Sequence, residues 1–431
     1  MLTFQENETL ARVGPGTSMG AVMRRYWMPT LLSWELPEPD CPPIRVRLLG
    51  EDLVAFRDTN GNVGILDNYC PHRRASLFFG RNEECGLRCV YHGWKFDVNG
   101  DCVDMPSEPA ESNFKDKVKV TAYPTAEFGG MVWTYMGPRD LQPPPPTMEW
   151  TQVPDLHRGT TKVVQRCNWL QGLEGGIDTV HTNFLHRRFA GSGTDVMDRA
   201  RANSLAAHVE VVPTDYGYTY AGIRHVSDDE GDYVRAYHFI APFYQLRPGG
   251  QLQRRHGRAS GHIWVPIDDE NTMVWNFSYR FDGNEMAESE RRQTGSGNEF
   301  WVDIDVENGF RSRAAAENDY LIDREVQRRE TFSGIPGTNT QDRAVQDTMG
   351  SICDRTREHL GTTDRAIIMA RKILLNAVRV VEDGGDPPGL GHNVYQLRPI
   401  EKVLPKDTAW RNALWSELYE GAPYNPDYVA V

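Results

Sequence analysis

Between residues 43 and 135 short apolar runs alternate with polar turns. Ile44, Val46 and Leu48 interleave with Arg45 and Arg47, the period of two that turns one face of a strand toward a core. Gly50-Glu51 then leads into Leu53-Val-Ala-Phe56. Asn60-Gly61 and Asn99-Gly100 sit between apolar runs, a strong hairpin signal. The stretch predicts a small antiparallel β domain, and residues 18–27 before it predict one short helix. Prolines 143–146 predict a semi-rigid linker. Beyond it, residues 216–226, 233–242, 260–266 and 272–281, rich in Tyr, Trp, Val and Ile, predict antiparallel strands. Residues 310–329 and 364–381 predict helices, and the Gly-, Ser- and charge-rich residues 284–299 a surface insertion. The pattern therefore predicts residues 1–137 as a helix plus a β domain, 138–150 as linker, and 151–431 as an α+β domain.

Composition narrows the class without naming a function. With 431 residues, 39% apolar and 25% charged, each domain can bury a core of its own. No run approaches the roughly eighteen uninterrupted apolar residues of a bilayer span, and the start carries no signal-like region, so a cytoplasmic protein is expected. Sixty acidic against 47 basic residues leave a net charge of −13, which opposes nonspecific binding to nucleic acid or anionic membranes. The seven cysteines, at 41, 70, 85, 89, 102, 167 and 353, suit a reduced compartment and a metal site better than a disulfide framework.

Two segments carry chemistry. Cys70-Pro-His72 is followed, after sixteen intervening residues, by Cys89-Val-Tyr-His92. Two thiolates and two imidazoles on two loops are the ligand set of a Rieske [2Fe–2S] centre, although zinc accepts the same donors. The second segment is Asn168-Trp-Leu-Gln-Gly-Leu-Glu-Gly-Gly-Ile-Asp178-Thr-Val-His181-Thr-Asn-Phe-Leu-His186. Leu170, Leu173, Ile177, Val180 and Phe184 recur at helical spacing, which would place Glu174, Asp178 and His181 on one stripe beside that face. His186 lies too far round an ideal helix to join His181 unless the helix bends or ends. Two histidines and a carboxylate on one face of an iron form the facial triad of oxygen-activating Fe(II) sites. His181 and His186 offer the imidazoles, and Asp178 is the nearest carboxylate.

Together these segments resemble the terminal oxygenase (α) component of a Rieske non-haem iron oxygenase, over nearly the whole chain. The resemblance is carried by Cys70-Pro-His-Arg-Arg74, Cys89-Val-Tyr-His-Gly-Trp94 and residues 178–186. Asn339-Thr-Gln-Asp-Arg-Ala-Val-Gln346 through Glu358-His-Leu-Gly361, with Arg12-Val-Gly-Pro-Gly-Thr and Arg24-Arg-Tyr-Trp27, is similar to the phthalate 4,5-dioxygenase branch. It implies an all-β Rieske domain followed by an α+β catalytic domain with a helix-grip antiparallel sheet. Cys70, His72, Cys89 and His92 would hold the [2Fe–2S] cluster. His181, His186 and Asp342 would hold Fe(II), with Asp347 as the fallback and Asp354 and Glu358 on the same helix. The resemblance gives Asp178 its catalytic role: the carboxylate that links a cluster histidine of one subunit to an iron-ligating histidine of the next. That implies a head-to-tail ring, a trimer or a multiple of it.

The implied reaction takes NAD(P)H electrons from a separate reductase, with or without a ferredoxin, and places one or both atoms of O2 in an aromatic acid. Dioxygenation of a phthalate-like ring is the first expectation, and O-demethylation of an aryl ether acid the alternative. A carboxylate substrate calls for a cationic partner, preferably arginine. Arg224, Arg235 and Arg247 are candidates between which the sequence does not choose. Arg73, Arg74, Arg81, Arg88 and Lys95 outnumber Glu83 and Glu84 around the cluster motif, a patch suited to an acidic reductase or ferredoxin. A simple electron carrier would need only the first domain, and a ligand-binding protein would need no intact metal ligands.

Overall fold

The computed structural model describes residues 1–109, 111–189, 196–249, 257–292, 303–390 and 396–419. They fall into two units, Val13–Pro145 and Met1–Arg12 with Pro146–Val431. The division lies inside the proline run. Residues 1–12, expected with the β domain, belong to the second unit. There the helix Phe4–Ala11, started by a Thr3/Glu6 capping box, meets the segment singled out above: Trp169 Nε1 donates to Leu10 O (3.1 Å) and Asn168 Nδ2 to Ala11 O (2.8 Å).

In the first unit the chain runs through β1 (Trp27–Leu32), β2 (Ile44–Leu48), β3 (Glu51–Arg57), β4 (Val63–Asp67), β5 (Arg81–Glu83), β6 (Gly86–Arg88), β7 (Lys95–Phe96), β8 (Cys102–Asp104), β9 (Ala122–Tyr123), β10 (Thr125–Phe128) and β11 (Met131–Tyr135). These form three antiparallel sheets, ordered β1-β11-β10, β2-β3-β4-β9 and β5-β6-β7-β8. Both Asn-Gly pairs turn the chain between consecutive strands, with Gly61 and Gly100 at positive φ. A side chain at Gly100 would also collide with the Val120 carbonyl. Residues 18–27 are not one helix: the helix Ser18–Met23 ends where Arg24 turns its guanidinium back onto Gly20 O (3.1 Å), and Trp27 already pairs with Tyr135 in β1.

In the second unit β12 (Arg158–Gln165), β13 (His208–Pro213), β14 (Gly217–Ser227), β15 (Gly231–Ile240), β16 (Tyr244–Pro248), β17 (Arg258–Pro266), β18 (Thr272–Arg280), β19 (Ile304–Asp305), β20 (Arg311–Ser312) and β21 (Ile400–Leu404) make one sheet. Its order is β13-β14-β15-β16-β17-β18-β12-β20-β19, with β21 on β15. Among the described residues only the β12–β20 contact is parallel. The helix Trp169–Ile177 packs across β16–β18, and the long helix Arg365–Glu382 across β13 and β14. The latter buries Ala366, Ile367, Ala370, Leu374, Ala377 and Val378, the helical spacing of one apolar stripe.

Residues 310–329 are not one helix. They contain β20, a 3-10 segment Ala316–Leu321 and a short helix Arg324–Arg329. Asp319, Tyr320 and Leu321 have positive φ, and the Asp323 side chain caps the amides of Glu325 and Val326. Side-chain capping restarts the helix there instead of letting it run through. Of the expected insertion at 284–299, the exposed helix Glu288–Arg292 is described, while residues 293–299 lie outside the described residues. Among the described residues no helix is long and apolar enough to cross a membrane.

Candidate functional site

The two cysteine–histidine loops of the first unit repeat one backbone arrangement. Cys70 N donates to Ala75 O (2.9 Å), and Arg74 N returns a bond to Cys70 O (2.9 Å). Cys89 N likewise donates to Trp94 O (2.8 Å), and Gly93 N to Cys89 O (2.9 Å). Arg74 and Gly93, at matching places, both adopt left-handed φ. Each loop thus folds back on its own cysteine, whether one or two residues precede the histidine. Cys70 and Cys89 are buried in the core formed by Val54, Phe56, Leu77, Leu87 and Phe96. Burial, and the Cys89 sulfur beside it, push the Cys70 thiol up to about 11. Two thiols crowded together without a cation are an unfavourable pair, which iron would turn into thiolate ligands. His72 and His92 lie outside them with ring centroids 4.3 Å apart, and His72 stacks on Trp94 at 4.4 Å. Buried sulfurs and outer imidazoles suit a cluster with one iron on each donor type.

The basic residues around these loops are mostly paired. Arg88 binds Glu83 (2.9 Å) and Asp104 (2.6 Å), Lys95 binds Glu84 (3.1 Å) and is buried, and Arg81 binds Glu83 (2.8 Å). Arg74 binds Asp67 (3.1 Å), and Arg73 lies over the Tyr91 ring. Arg88 and Lys95 therefore drop out of the expected docking patch, whereas Arg73, Arg74 and Arg81 remain exposed.

In the second unit the site helix begins at Asn168, whose side chain accepts from Leu170 N, and stops at Ile177. It does not reach His181. Asp178 is extended, and its Oδ1 accepts from Val180 N (2.7 Å) and His181 N (3.4 Å). The carboxylate stands in for a backbone carbonyl and turns the chain, the competition that makes aspartate a helix terminator. His181–Asn183 then form one 3-10 turn. The break brings together what a straight helix would separate: His181 Nε2 and His186 Nε2 are 3.2 Å apart. Asp342 Oδ1, from the helix Thr338–Asp347, lies 3.2 Å from His186 Nε2 and 3.5 Å from His181 Nε2. The three ligand atoms fall within 4.8 Å of one another. A 2-His/1-Asp metal-binding triad stands here, and its donors suit ferrous iron with open positions.

Asp347, the fallback, is elsewhere, accepting from Tyr320 Oη at 2.9 Å. Asp354 and Glu358 lie beyond the helix end. Glu174 does not share a stripe with Asp178 and His181 either: it pairs with Arg355 Nε (3.0 Å) and Arg371 Nε (2.6 Å), and Arg371 continues to Glu358 (2.7 Å). Glycine explains how the site helix fits. A Cβ at Gly175 would strike Gln346 and one at Gly176 the Trp264 ring, so these residues permit close packing against the second helix and the sheet.

Burial opposes charge on the triad carboxylate, but His186, His181 and Arg247 together hold Asp342 below the usual carboxylate range. The same balance, with His181 and the amides of Val180 and His181, lowers Asp178. His181 Nδ1 lies 3.5 Å from Asp178 Oδ2, and His186 Nδ1 lies 2.6 Å from Gln341 Oε1. Gln341 is fixed in turn by donating to Ile335 O (2.8 Å). The short Gln341 contact fixes the tautomer and ring plane of His186, whereas His181 Nδ1 stands beside Asp178 without a hydrogen bond among the described residues. Gln341 lies inside the stretch 339–346 that carries the resemblance, but nothing in its local sequence gives it a role beside His186.

A cavity of about 360 Å³ opens onto the triad, lined also by Arg201, Arg235, Tyr237, Gln245, Arg247, His262 and Trp264. Its floor is one face of the sheet, since Arg235 and Tyr237, Gln245 and Arg247, and His262 and Trp264 are each two residues apart. Arg224 does not line it; its Nη2 donates to Thr179 O (2.8 Å) behind the histidine turn. Arg201, on the helix Val196–Asn203, was not anticipated, since no periodicity marks it. Burial, and Arg235 beside it, lower Arg247 to about 10, and the same two causes lower Arg201. A second cavity, of about 180 Å³, reaches Asp178, His181 and Asp342 past Leu185, Val345 and Met349.

Comparison with known proteins adds the following. Residues 26–124 match the Rieske [2Fe-2S] domain model, and residues 134–425 the LigXa C-terminal domain like model. The chain is 40% identical over 424 residues to the phthalate 4,5-dioxygenase oxygenase subunit of Pseudomonas putida, covering 96% of this chain and 94% of that one. It is 39% identical over 431 residues to the 3-chlorobenzoate-3,4-dioxygenase oxygenase subunit of Comamonas testosteroni, covering 96% and 98%. It is 32% identical over 422 residues to the 5,5'-dehydrodivanillate O-demethylase oxygenase subunit of Sphingobium sp. (strain NBRC 103272 / SYK-6), covering 96% and 88%. The fold is shared with Pseudomonas putida CBB5 NdmA, at TM-score 0.60 and 17% identity over 91% of this chain and all of that one.

Proposed function

Because the chain belongs to the Rieske non-haem iron ring-hydroxylating oxygenases, related to the phthalate and chlorobenzoate dioxygenases, and is the terminal oxygenase component of such a system, we propose that it dioxygenates the ring of an aromatic acid. One observation supports this most: three partly buried guanidiniums, of Arg201, Arg235 and Arg247, line the cavity beside the triad. Arg201 Nε and Arg235 Nε are buried without a hydrogen-bond partner among the described residues. Glu401 Oε2, 3.9 Å from Arg235 Nε, offsets part of this gathered positive charge, and like charges held out of water still favour a further anion. A substrate carboxylate supplies it, and paired N–H donors fix its plane.

Cys70, His72, Cys89 and His92 would hold the cluster, and His181, His186 and Asp342 the iron. When bound, these centres supply one-electron transfer and O2 activation. The protein's own part is positional. The arginines anchor the acid so that the ring lies over the triad, Trp264 and Tyr237 wall it in, and Gln341 sets the His186 imidazole plane. Two electrons, two protons and O2 convert one aromatic C=C bond to a cis-dihydrodiol, with both oxygen atoms retained. NAD(P)H supplies the electrons through a separate reductase, which meets the exposed Arg73, Arg74 and Arg81. In this reading Asp178, one quarter exposed, accepts from a cluster histidine of a second subunit in a head-to-tail ring.

The test supplies the protein with a surrogate reductase, NADH and 18O2, and offers phthalate, 3-chlorobenzoate and methoxylated aromatic acids. A cis-dihydrodiol carrying two 18O atoms is expected. Formaldehyde from a methoxy acid, with no diol from any acid, would replace this reading with O-demethylation.

A further inference from the structure

The sheet face that carries the cavity floor holds a row of polar side chains that the anion site does not use, of which Gln245 and His262 line the cavity. Gln245, His262, Asn276 and Thr161 are register neighbours across β16, β17, β18 and β12, so they share one sheet face, and all four are buried. His262 Nδ1 is 2.7 Å from Asn276 Oδ1. Asn339 Nδ2 donates to that same oxygen (3.2 Å), while Asn276 Nδ2 donates to Thr161 Oγ1 (3.5 Å). Gln245 is engaged elsewhere, with Tyr220 Oη (2.6 Å) and the Gly176 carbonyl.

An amide oxygen only accepts. The bond to Asn276 therefore requires the proton on His262 Nδ1, which leaves Nε2 as a bare lone pair. Nε2 has no partner among the described residues, yet the ring lines the cavity. Burial and the Arg247 charge keep this imidazole neutral at physiological pH, its pKa pushed down to about 3. The cavity thus combines guanidinium donors with a neutral imidazole acceptor, and a carboxylate oxygen set against that lone pair would be repelled.

We propose that His262 is a specificity-determining residue whose Nε2 accepts a hydrogen bond from a hydroxyl or amino group on the ring of the aromatic acid. The inference rests on the aromatic-acid reading above and narrows it to acids bearing a ring O–H or N–H donor. A buried acceptor left unpaired rejects the analogue lacking the donor, by roughly ten- to hundredfold for one neutral hydrogen bond.

The probes are phthalate, the hydroxyphthalates and their methyl ethers, titrated against the full-length protein carrying its cluster and iron. At least one hydroxyphthalate is expected to bind about tenfold or more tightly than its methyl ether. His262→Phe should erase that preference, and His262→Gln, which keeps an acceptor, should retain part of it. The wild-type comparison stands even where a variant fails to fold. Equal binding of every hydroxy/methoxy pair by the wild-type protein, or a preference that survives in His262→Phe, overturns the proposal while leaving the aromatic-acid reading intact. If none of these acids binds, both readings fall.

Discussion

The cluster loops and the iron triad solve the same problem, holding metal ligands in register, by opposite means. Cys70, His72, Cys89 and His92 lie within one short stretch, and each loop is closed by hydrogen bonds to its own cysteine. The triad takes two histidines from a turn that exists because Asp178 ends a helix, and a carboxylate from a second helix far along the chain. Local closure tolerates change in the surroundings, whereas an assembled site depends on everything that packs its two helices together.

That contrast breaks most completely at the ligands. His181→Ala or Asp342→Ala should reduce turnover to background while the visible bands of the cluster, bleached by dithionite, stay unchanged. Cys89→Ala should remove those bands. A loss of bands in the triad variants would show that the two sites are not independent.

Next in size is the packing behind the triad. Arg355 is fully buried against Glu174, so Arg355→Leu leaves that carboxylate with Arg371 alone and should cost about 1.5–3 kcal/mol, the loss of one charged hydrogen bond. Calorimetry should show the second unit melting earlier, with the cluster bands retained. Arg247→Gln tests the cavity rather than the metal: KM for the acid should rise by about ten- to hundredfold, the loss of a charge-assisted hydrogen bond. Gln341→Leu leaves His186 without its oriented partner and should weaken iron binding by about 10–100-fold, read by metal titration with no turnover needed. The smallest effect belongs to the cluster loops. Gly93→Ala places a side chain in left-handed backbone beside Pro106 and should cost about 1–2 kcal/mol, leaving the bands in place.

The legible parts of the molecule follow the same divide. The hairpins at Asn60-Gly61 and Asn99-Gly100 and the helix Arg365–Glu382 could be read because each signal is contained in a few adjacent residues. The helix expected through His181 did not form, since apolar spacing cannot register a side-chain carboxylate competing for backbone amides. Residues 310–329 misled for a related reason, with left-handed residues and a new cap interrupting a charged stretch. Gly175 and Gly176 sit mid-helix, where glycine costs about 1 kcal/mol against alanine, and only Gln346 and Trp264 pressing on them explain their presence. Arg224 and Arg235 could not be told apart as candidates, yet one braces a turn and the other lines the cavity.

The sequence by itself determined the donor types, the cluster loops and the family, because metal chemistry restricts which residues serve and local spacing restricts where they sit. Tertiary structure alone decided that Gln341 orients His186, and that Arg201, Arg235, Arg247 and His262 share one cavity. The Asp342 ligand was already implied by the resemblance and stands in the triad, whereas the other outcomes depend on strand register and on how closely two helices approach. Both are set by packing between residues distant in the chain, which no local pattern encodes.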